Sequence, residues 1–95
     1  MYIVNLTYLK PLPEIEAHLA AHRAFLDAQY AREVFLASGP KNPRDGGVII
    51  VSGHLSRAQL DGLLAQDPFA QNGIASYQVT EFEATKHHPA LAALL

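Results

Sequence analysis

The sequence predicts a single α+β domain whose elements follow the order β-α-β-β-α-β. Short segments rich in β-branched and aromatic residues indicate strands, and two segments with apolar residues at helical spacing indicate helices. Proline and glycine separate these segments. The length of 95 residues fits one domain. We assign residues 1–95 to this domain, with a core of about 2–83 and a short C-terminal tail, 84–95.

The chain begins with a predicted strand and a predicted helix. Tyr2 to Leu9 is the strand, in which successive side chains alternate between two faces. The helix runs from Pro13 to about Tyr30, because proline is tolerated in a first helical turn and the following apolar residues share one stripe. That stripe consists of Ile15, Leu19, His22 and Leu26.

Two strands joined by a loop form the middle of the chain. Val34 to Ala37 is a short apolar strand that the turn residues Ser38-Gly39-Pro40 close. Gly47 to Ser52 is the next strand. The intervening loop, Lys41 to Gly46, is short enough for the two strands to pair antiparallel.

A second helix and a last strand complete the fold. Ser56 and Gln59 fit a capping box, so the helix begins at Ser56. Asp67-Pro68 ends it, because the residue before proline avoids helical geometry. The last strand is Ile74 to Phe82. This order is the ferredoxin-like arrangement, a four-stranded antiparallel sheet with two helices on one face.

The second face of this sheet has no helix to cover it. The strand Gly47 to Ser52 is apolar at four consecutive positions, which indicates that both of its faces are buried. An uncovered apolar sheet face marks an interface. We therefore predict a homodimer in which the open sheet faces of two subunits pack together. A monomer whose C-terminal tail folds under the sheet is the alternative.

The composition argues against several classes of protein. The chain contains no cysteine, which excludes disulfides and cysteine-based metal sites. The formal net charge is −2 and the seven lysines and arginines are scattered, so we expect no nucleic-acid binding. The longest apolar run, Val48 to Val51, is too short to span a membrane. The first ten residues lack the pattern of a signal peptide, and we expect a cytoplasmic protein.

Five short motifs follow one another along the chain. They are His22-Arg23-x-Phe25-Leu26, Phe35-Leu36-Ala37-Ser38-Gly39-Pro40, Gly47-Val48-Ile49-Ile50, Asp67-Pro68-Phe69 and Tyr77-x-Val79-x-Glu81-Phe82. In this order they resemble the YciI-like family, which is defined by the YCII domain. The resemblance implies a ferredoxin-like fold that dimerises as an αβ barrel. It also implies a candidate active site formed by His22 and Asp67, with Ser38 near the same pocket.

The resemblance implies a class of chemistry rather than a substrate. One relative is a dehydrochlorinase of a chlorinated hydroxyhydroquinone, and distant fold relatives include muconolactone isomerases. Asp67 can orient the His22 ring through one nitrogen and leave the other free to exchange protons. Elimination of HCl and isomerisation both suit such a pair, and neither needs a cofactor. His18 and His22 have the spacing of metal ligands, but no third ligand shares their side, so we expect no metal site.

Each candidate residue also has a purely structural interpretation. His22 can be a satisfied core residue, and Asp67 can simply end a helix. Ser38 either binds a substrate oxygen or shapes the Ser-Gly-Pro turn. Arg44 either attracts an anionic substrate or is solvated, and Asn5 lines either the pocket or the subunit interface.

The sequence therefore predicts a small cofactor-independent lyase or isomerase that acts on a small polar or aromatic metabolite. In this interpretation His22 is the general acid or base, Asp67 orients it and Ser38 assists binding. The alternative is a non-catalytic dimeric module that binds a small ligand or a partner protein through the same pocket.

Overall fold

The fold is built on four strands that are antiparallel to their neighbours. A computed structural model describes all 95 residues of the chain. The strands are β1 (Tyr2–Tyr8), β2 (Phe35–Pro40), β3 (Gly46–Val51) and β4 (Ala75–Glu81), in the spatial order β2-β3-β1-β4. β2 and β3 pair across the intervening loop, and β1 pairs with both β3 and β4. This topology confirms the predicted antiparallel sheet and the ferredoxin-like α+β class.

Four helices and a terminal 3₁₀ helix accompany the sheet. They are α1 (Leu12–Ala17), α2 (Leu19–Ala31), α3 (Arg57–Leu64), α4 (Pro68–Gln71) and the 3₁₀ helix Pro89–Leu94. The predicted capping box is present at the start of α3, where Ser56 and Gln59 each accept a hydrogen bond from the other's backbone amide. None of these helices has the length and apolar character needed to cross a membrane.

The prediction of one helix from Pro13 to Tyr30 is wrong at His18. This residue has φ −110° and ψ 5°, so it ends α1 and begins α2. Its backbone amide bonds back to Ile15 and Glu16. Ile15 of α1 is fully buried. The buried residues of α2 are instead His22 and Gln29.

The prediction that Ser38-Gly39-Pro40 closes β2 is also wrong. These residues continue the strand, and their register partners in β3 are Ile49, Val48 and Gly47. Pro40 is tolerated because β2 is an edge strand, where a missing amide donor costs no pairing on the outer side. Ser38 therefore lies within β2, after the register shift between Phe35 and Ala37.

Asp67-Pro68 begins a helix instead of ending one. α3 stops at Leu64, and Asp67 is extended, with φ −62° and ψ 128°. Pro68 is the first residue of α4, a position that favours proline because its fixed φ suits a helix start. The predicted avoidance of helical geometry at Asp67 is correct, but it marks an N-terminus.

The hydrophobic core lies between the sheet and the helices. Alternate residues of β1 point toward the helices and are almost fully buried; they are Tyr2, Val4 and Leu6. The helices contribute Ile15, Leu60, Leu63, Leu64 and Phe69, and the rest of the core consists of Phe35, Ile49, Val51, Ile74 and Ala75. This core fixes α2 and α4 over the sheet.

The strand β3 approaches β1 so closely at Gly46 that a side chain has no room. A Cβ atom at this position would lie 1.8 Å from the carbonyl oxygen of Leu6. Glycine is therefore required where the loop enters β3.

The opposite face of the sheet is a mixture of aliphatic and polar residues. β1 and β3 contribute Ile3, Val48 and Ile50, and the polar residues of this face are Asn5, Thr7, Ser76, Gln78 and Thr80. Ile3 is 37% exposed. No residue of the 3₁₀ helix is buried. The face therefore has an aliphatic centre on β1 and β3 and a polar side along β4.

Candidate functional site

A buried histidine–aspartate pair lies between α2 and α4. His22 Nδ1 is 2.8 Å from Asp67 Oδ1. The Asp67 side chain is 0% exposed and that of His22 is 11% exposed. The partners are 45 residues apart in sequence, so only the folded chain brings them together.

The local sequence fixes the position of the Asp67 carboxylate. Asp67 is the N-cap of α4, and its Oδ1 accepts a hydrogen bond of 3.0 Å from the amide of Phe69. Pro68 occupies the first helical position and holds Asp67 in extended geometry. The backbone amide two residues further along the chain thus holds the carboxylate in place, independently of His22.

Phe69 gives the imidazole ring a flat support. The two rings are stacked, with centroids 3.9 Å apart and planes 4° from parallel. Phe69 is itself buried and meets Tyr8 edge to face. The tripeptide Asp67-Pro68-Phe69 therefore holds His22 both through a hydrogen bond in the ring plane and through contact with the ring face.

Tyr77 of β4 is a third donor to the carboxylate. Its hydroxyl donates a hydrogen bond of 2.6 Å to Asp67 Oδ2. Burial raises the pKa of Tyr77 well above its usual value, and the hydrogen bond and the charge of Asp67 raise it further. The phenol thus stays protonated and continues to donate, so Asp67 is satisfied as a carboxylate with one donor on Oδ2 and two on Oδ1.

This network determines which ring nitrogen of His22 is available. The carboxylate accepts from Nδ1, so the neutral ring carries its proton there and Nε2 holds a lone pair. Nε2 makes no hydrogen bond within the protein, and no buried side-chain nitrogen or oxygen lacks a partner. Nε2 is therefore accessible, and His22 lines the adjoining cleft.

The cleft lies between α1, α2, α4 and the β2–β3–β1 part of the sheet. Its volume is about 770 Å³, within the range of small-molecule sites. Its apolar lining includes Leu6, Leu19, Leu26, Ile49 and Phe69. Its polar lining consists of Tyr8, Glu16, His22, Arg23, Asp27, Tyr30, Ser38 and Arg44.

Ser38 and Arg44 both reach this cleft, each with a partner. The hydroxyl groups of Ser38 and Tyr30 are hydrogen-bonded to each other. Arg44 Nη1 donates to Glu16 Oε1 over 3.1 Å. The hydrogen bond to Glu16 raises the pKa of Arg44, which keeps the guanidinium charged. His22, Ser38 and Arg44 thus line one cleft, with Asp67 directly behind His22.

Asn5 lies away from this cleft, on the open face of the sheet. Its side-chain oxygen accepts a hydrogen bond of 3.0 Å from Lys41 Nζ. Of the two positions considered for Asn5, the structure places it on the face predicted to form the subunit interface.

Four contributors to the site are not predicted from the sequence: Glu16, Tyr30, Phe69 and Tyr77. Phe69 and Tyr77 belong to the motifs that carry the family resemblance, so the motifs marked them without indicating their roles. Glu16 and Tyr30 had no such signal. No group of three or more histidine, aspartate or glutamate side chains is arranged to hold a metal ion.

Comparison with known proteins assigns the family. The family model of the YCII-related domain matches residues 1–83. The chain belongs to the YCII-related family. This match confirms the resemblance drawn from the five motifs. No curated protein matched the sequence.

Among solved structures, the chain is similar to the 5-chloro-2-hydroxyhydroquinone dehydrochlorinase TftG from Burkholderia phenoliruptrix AC1100, in complex with 2,5-dihydroxybenzoquinone. The TM-score is 0.71 at 20% sequence identity, and the match covers 87% of this chain and 94% of that chain. At this level of identity the similarity establishes the shared fold.

Proposed function

We propose that this protein is a small cofactor-independent enzyme that transfers a proton on a small polar or aromatic molecule. One observation carries the proposal: His22 has one ring nitrogen held by a buried carboxylate and the other accessible to a cleft. His22 is the general acid or base, and Asp67 orients it. Ser38, which lines the same cleft, assists substrate binding.

The proton transfer follows from the state of the ring. The Nε2 lone pair accepts a proton from an acidic C–H bond of the substrate, and Asp67 stabilises the imidazolium that forms. In an isomerisation the proton returns to another substrate atom. In an elimination the electrons of the C–H bond form the new π bond as chloride leaves. A positioned general base contributes about 10²–10⁴-fold in rate.

Two further findings support this class of reaction. The chain shares its fold with a dehydrochlorinase, and that enzyme was solved with a small hydroxylated quinone. The cleft here combines an apolar lining with a few polar groups, as small-molecule sites usually do.

Hydrogen–deuterium exchange tests the proposal without a known substrate. A panel of small carbonyl, phenolic and halogenated compounds is incubated with the protein in D₂O, and loss of C–H signals or release of chloride is followed by NMR and ion analysis. We expect at least one compound to exchange or eliminate, and we expect His22→Gln to abolish this.

His54→Gln is the matched control, because His54 is exposed and does not line the cleft. It should leave the rate unchanged. Full activity in His22→Gln on a substrate that the wild type turns over would refute the proposal.

A non-catalytic binding module is the second candidate. It is favoured by the hydrogen bonds that Asp67 accepts, because those from His22 and Tyr77 tie α2 and β4 to the start of α4. This version shares with the enzyme a loss of about 1–3 kcal/mol in the free energy of unfolding for His22→Gln and Asp67→Asn, because the contacts are the same. It also predicts that no compound in the panel exchanges.

We further propose that two copies associate through the open sheet face. Exposed Ile3 and the partly buried Val48 and Ile50 form its aliphatic centre. The helices that bury the core lie on the other face, and no residue of the terminal 3₁₀ helix is itself buried. Packing this centre against its symmetry mate would remove the apolar area from water.

A further inference from the structure

An ion pair in the lining of the cleft joins two separate parts of the chain. Arg44 comes from the β2–β3 loop and Glu16 from α1, 28 residues apart in sequence. Arg44 Nη1 and Glu16 Oε1 are 3.1 Å apart, and both residues line the cleft that His22 lines. The side chains are 37% and 57% exposed. The pair is therefore open to solvent and to any molecule that enters the cleft.

The guanidinium of Arg44 has unused capacity. It carries five N–H donors in a planar fork suited to two parallel bonds with a carboxylate. Glu16 accepts one hydrogen bond from it, and the hydroxyl of Tyr8 lies near the same guanidinium. An exposed ion pair of this kind is worth about 0–1 kcal/mol. A carboxylate that engages both arms of the fork can therefore replace Glu16.

Two other charged side chains, Arg23 and Asp27, line the cleft. Arg23 also lines the cleft and forms no ion pair, so it adds positive charge. Asp27 is exposed and also forms no ion pair. Arg44 is the cationic group whose present partner is itself a carboxylate, and Glu16 occupies the position that a ligand carboxylate would take.

We propose that the cleft binds a small organic acid whose carboxylate displaces Glu16 from Arg44, so that Glu16 is a built-in competitor for the site. The rest of the ligand lies along the apolar lining formed by Leu19, Leu26 and Phe69. That this ligand also reacts at His22 rests on the proposed function above. Binding of the carboxylate does not depend on that reaction.

Binding of benzoate and of its neutral counterpart benzamide tests the displacement. Affinities are measured by chemical-shift titration of the ¹⁵N-labelled protein. Wild type should bind benzoate more tightly than benzamide. Glu16→Gln should tighten benzoate binding about two- to fivefold, the range expected from release of an exposed ion pair, and leave benzamide unchanged. Arg44→Gln should weaken benzoate binding at least about fivefold.

The surface pair Arg57–Asp61 provides matched controls. Its side chains are similarly exposed, at 48% and 55%, and it lies on α3 away from the cleft. Arg57→Gln and Asp61→Asn repeat the same changes in charge and should leave both affinities unchanged. If they shift benzoate binding as much as the cleft variants do, the effect is one of net charge and the proposal is wrong.

The remaining outcomes are equally decisive. Unchanged or weaker benzoate binding in Glu16→Gln overturns the competitor role, and failure of both wild type and Glu16→Gln to bind benzoate overturns the site. His22→Gln separates this inference from the proposed function, because it should keep benzoate affinity within about twofold while proton exchange is lost. Carboxylate binding without exchange in any compound leaves the site intact and contradicts only the proposed enzyme.

Discussion

Replacing Asp67 by asparagine or by alanine tests whether the three contacts of this carboxylate are arranged as described. In Asp67→Asn the amide oxygen can take the place of Oδ1 and keep the bonds from His22 and Phe69. The amide nitrogen then faces the Tyr77 hydroxyl, whose oxygen can accept as well as donate. All three contacts survive, although as neutral hydrogen bonds.

The two substitutions should differ clearly in stability. Neutral hydrogen bonds are weaker than charged ones by about 1 kcal/mol each, but the asparagine variant no longer buries a charge, so we expect a net loss of about 1–2 kcal/mol. Asp67→Ala leaves a ring nitrogen of His22 and the buried amide of Phe69 without a partner, at about 1–3 kcal/mol each, and removes a helix cap. We expect a loss of about 3–5 kcal/mol.

Urea unfolding at neutral pH measures both losses, provided that the free energy of unfolding falls with urea concentration at the same slope in the wild type and the two variants. NMR of the ¹⁵N-labelled His22 ring gives a second measurement. When the His22 ring of the wild type is neutral, its proton should reside on Nδ1, and Asp67→Ala should remove that preference. Equal losses of stability for the two variants, within about 0.5 kcal/mol, would refute the three-contact arrangement.

Other regions of the structure give three more predictions. The raised pKa of Tyr77 means that the stabilisation from its protonated phenol is complete below about pH 10 and is lost as pH rises further. Urea melts above pH 10 should therefore show stability falling more steeply in wild type than in Tyr77→Phe, by up to about 1.4 kcal/mol per pH unit; equal slopes would contradict this. Gly46→Ala should destabilise the protein by about 3 kcal/mol, because the added Cβ would meet the backbone of Leu6. Gly62→Ala has open space in α3 and should stabilise the protein by about 0.5–1 kcal/mol. Thermal melts that reverse this order would show that β3 does not approach β1 closely at Gly46. Ile3→Glu should halve the molecular mass measured by light scattering at a fixed concentration. Ala20→Glu, at an exposed position of α2, is the control and should leave the mass unchanged. An unchanged mass in Ile3→Glu would count against a dimer through the open face.

The sheet was predictable from the sequence because each strand carries its own signal. Alternation in Tyr2–Tyr8 and the run of apolar residues in β3 depend on burial, which acts on every residue of these strands. The break at His18 has no comparable signal. No glycine or proline marks it, and the residues on both sides favour one continuous stripe. The structure buries Ile15 of α1 and His22 of α2 from either side of the break.

The site was predictable only in part, for a similar reason. The family motifs pointed to His22 and Asp67, and the structure joins them. Asp67-Pro68 predicts a helix boundary without saying which kind, because extended geometry before proline is compatible with either a helix end or a helix start. Only the side-chain bond from Asp67 to the Phe69 amide distinguishes the two. The link from Tyr77 to Asp67 depends on how β4 packs under α4, which no local pattern contains.

The central position of β1 has a consequence for how the chain folds as it is synthesised. Residues 2–8 leave the ribosome before both of the segments with which they pair, 46–51 on one side and 75–81 on the other. Half of the ladder of β1 therefore waits until most of the chain has been made, and such distant pairings slow folding. The strand has two unpaired edges until residues 46–51 are made and one until residues 75–81 follow, and unpaired edges make nascent chains prone to associate with one another.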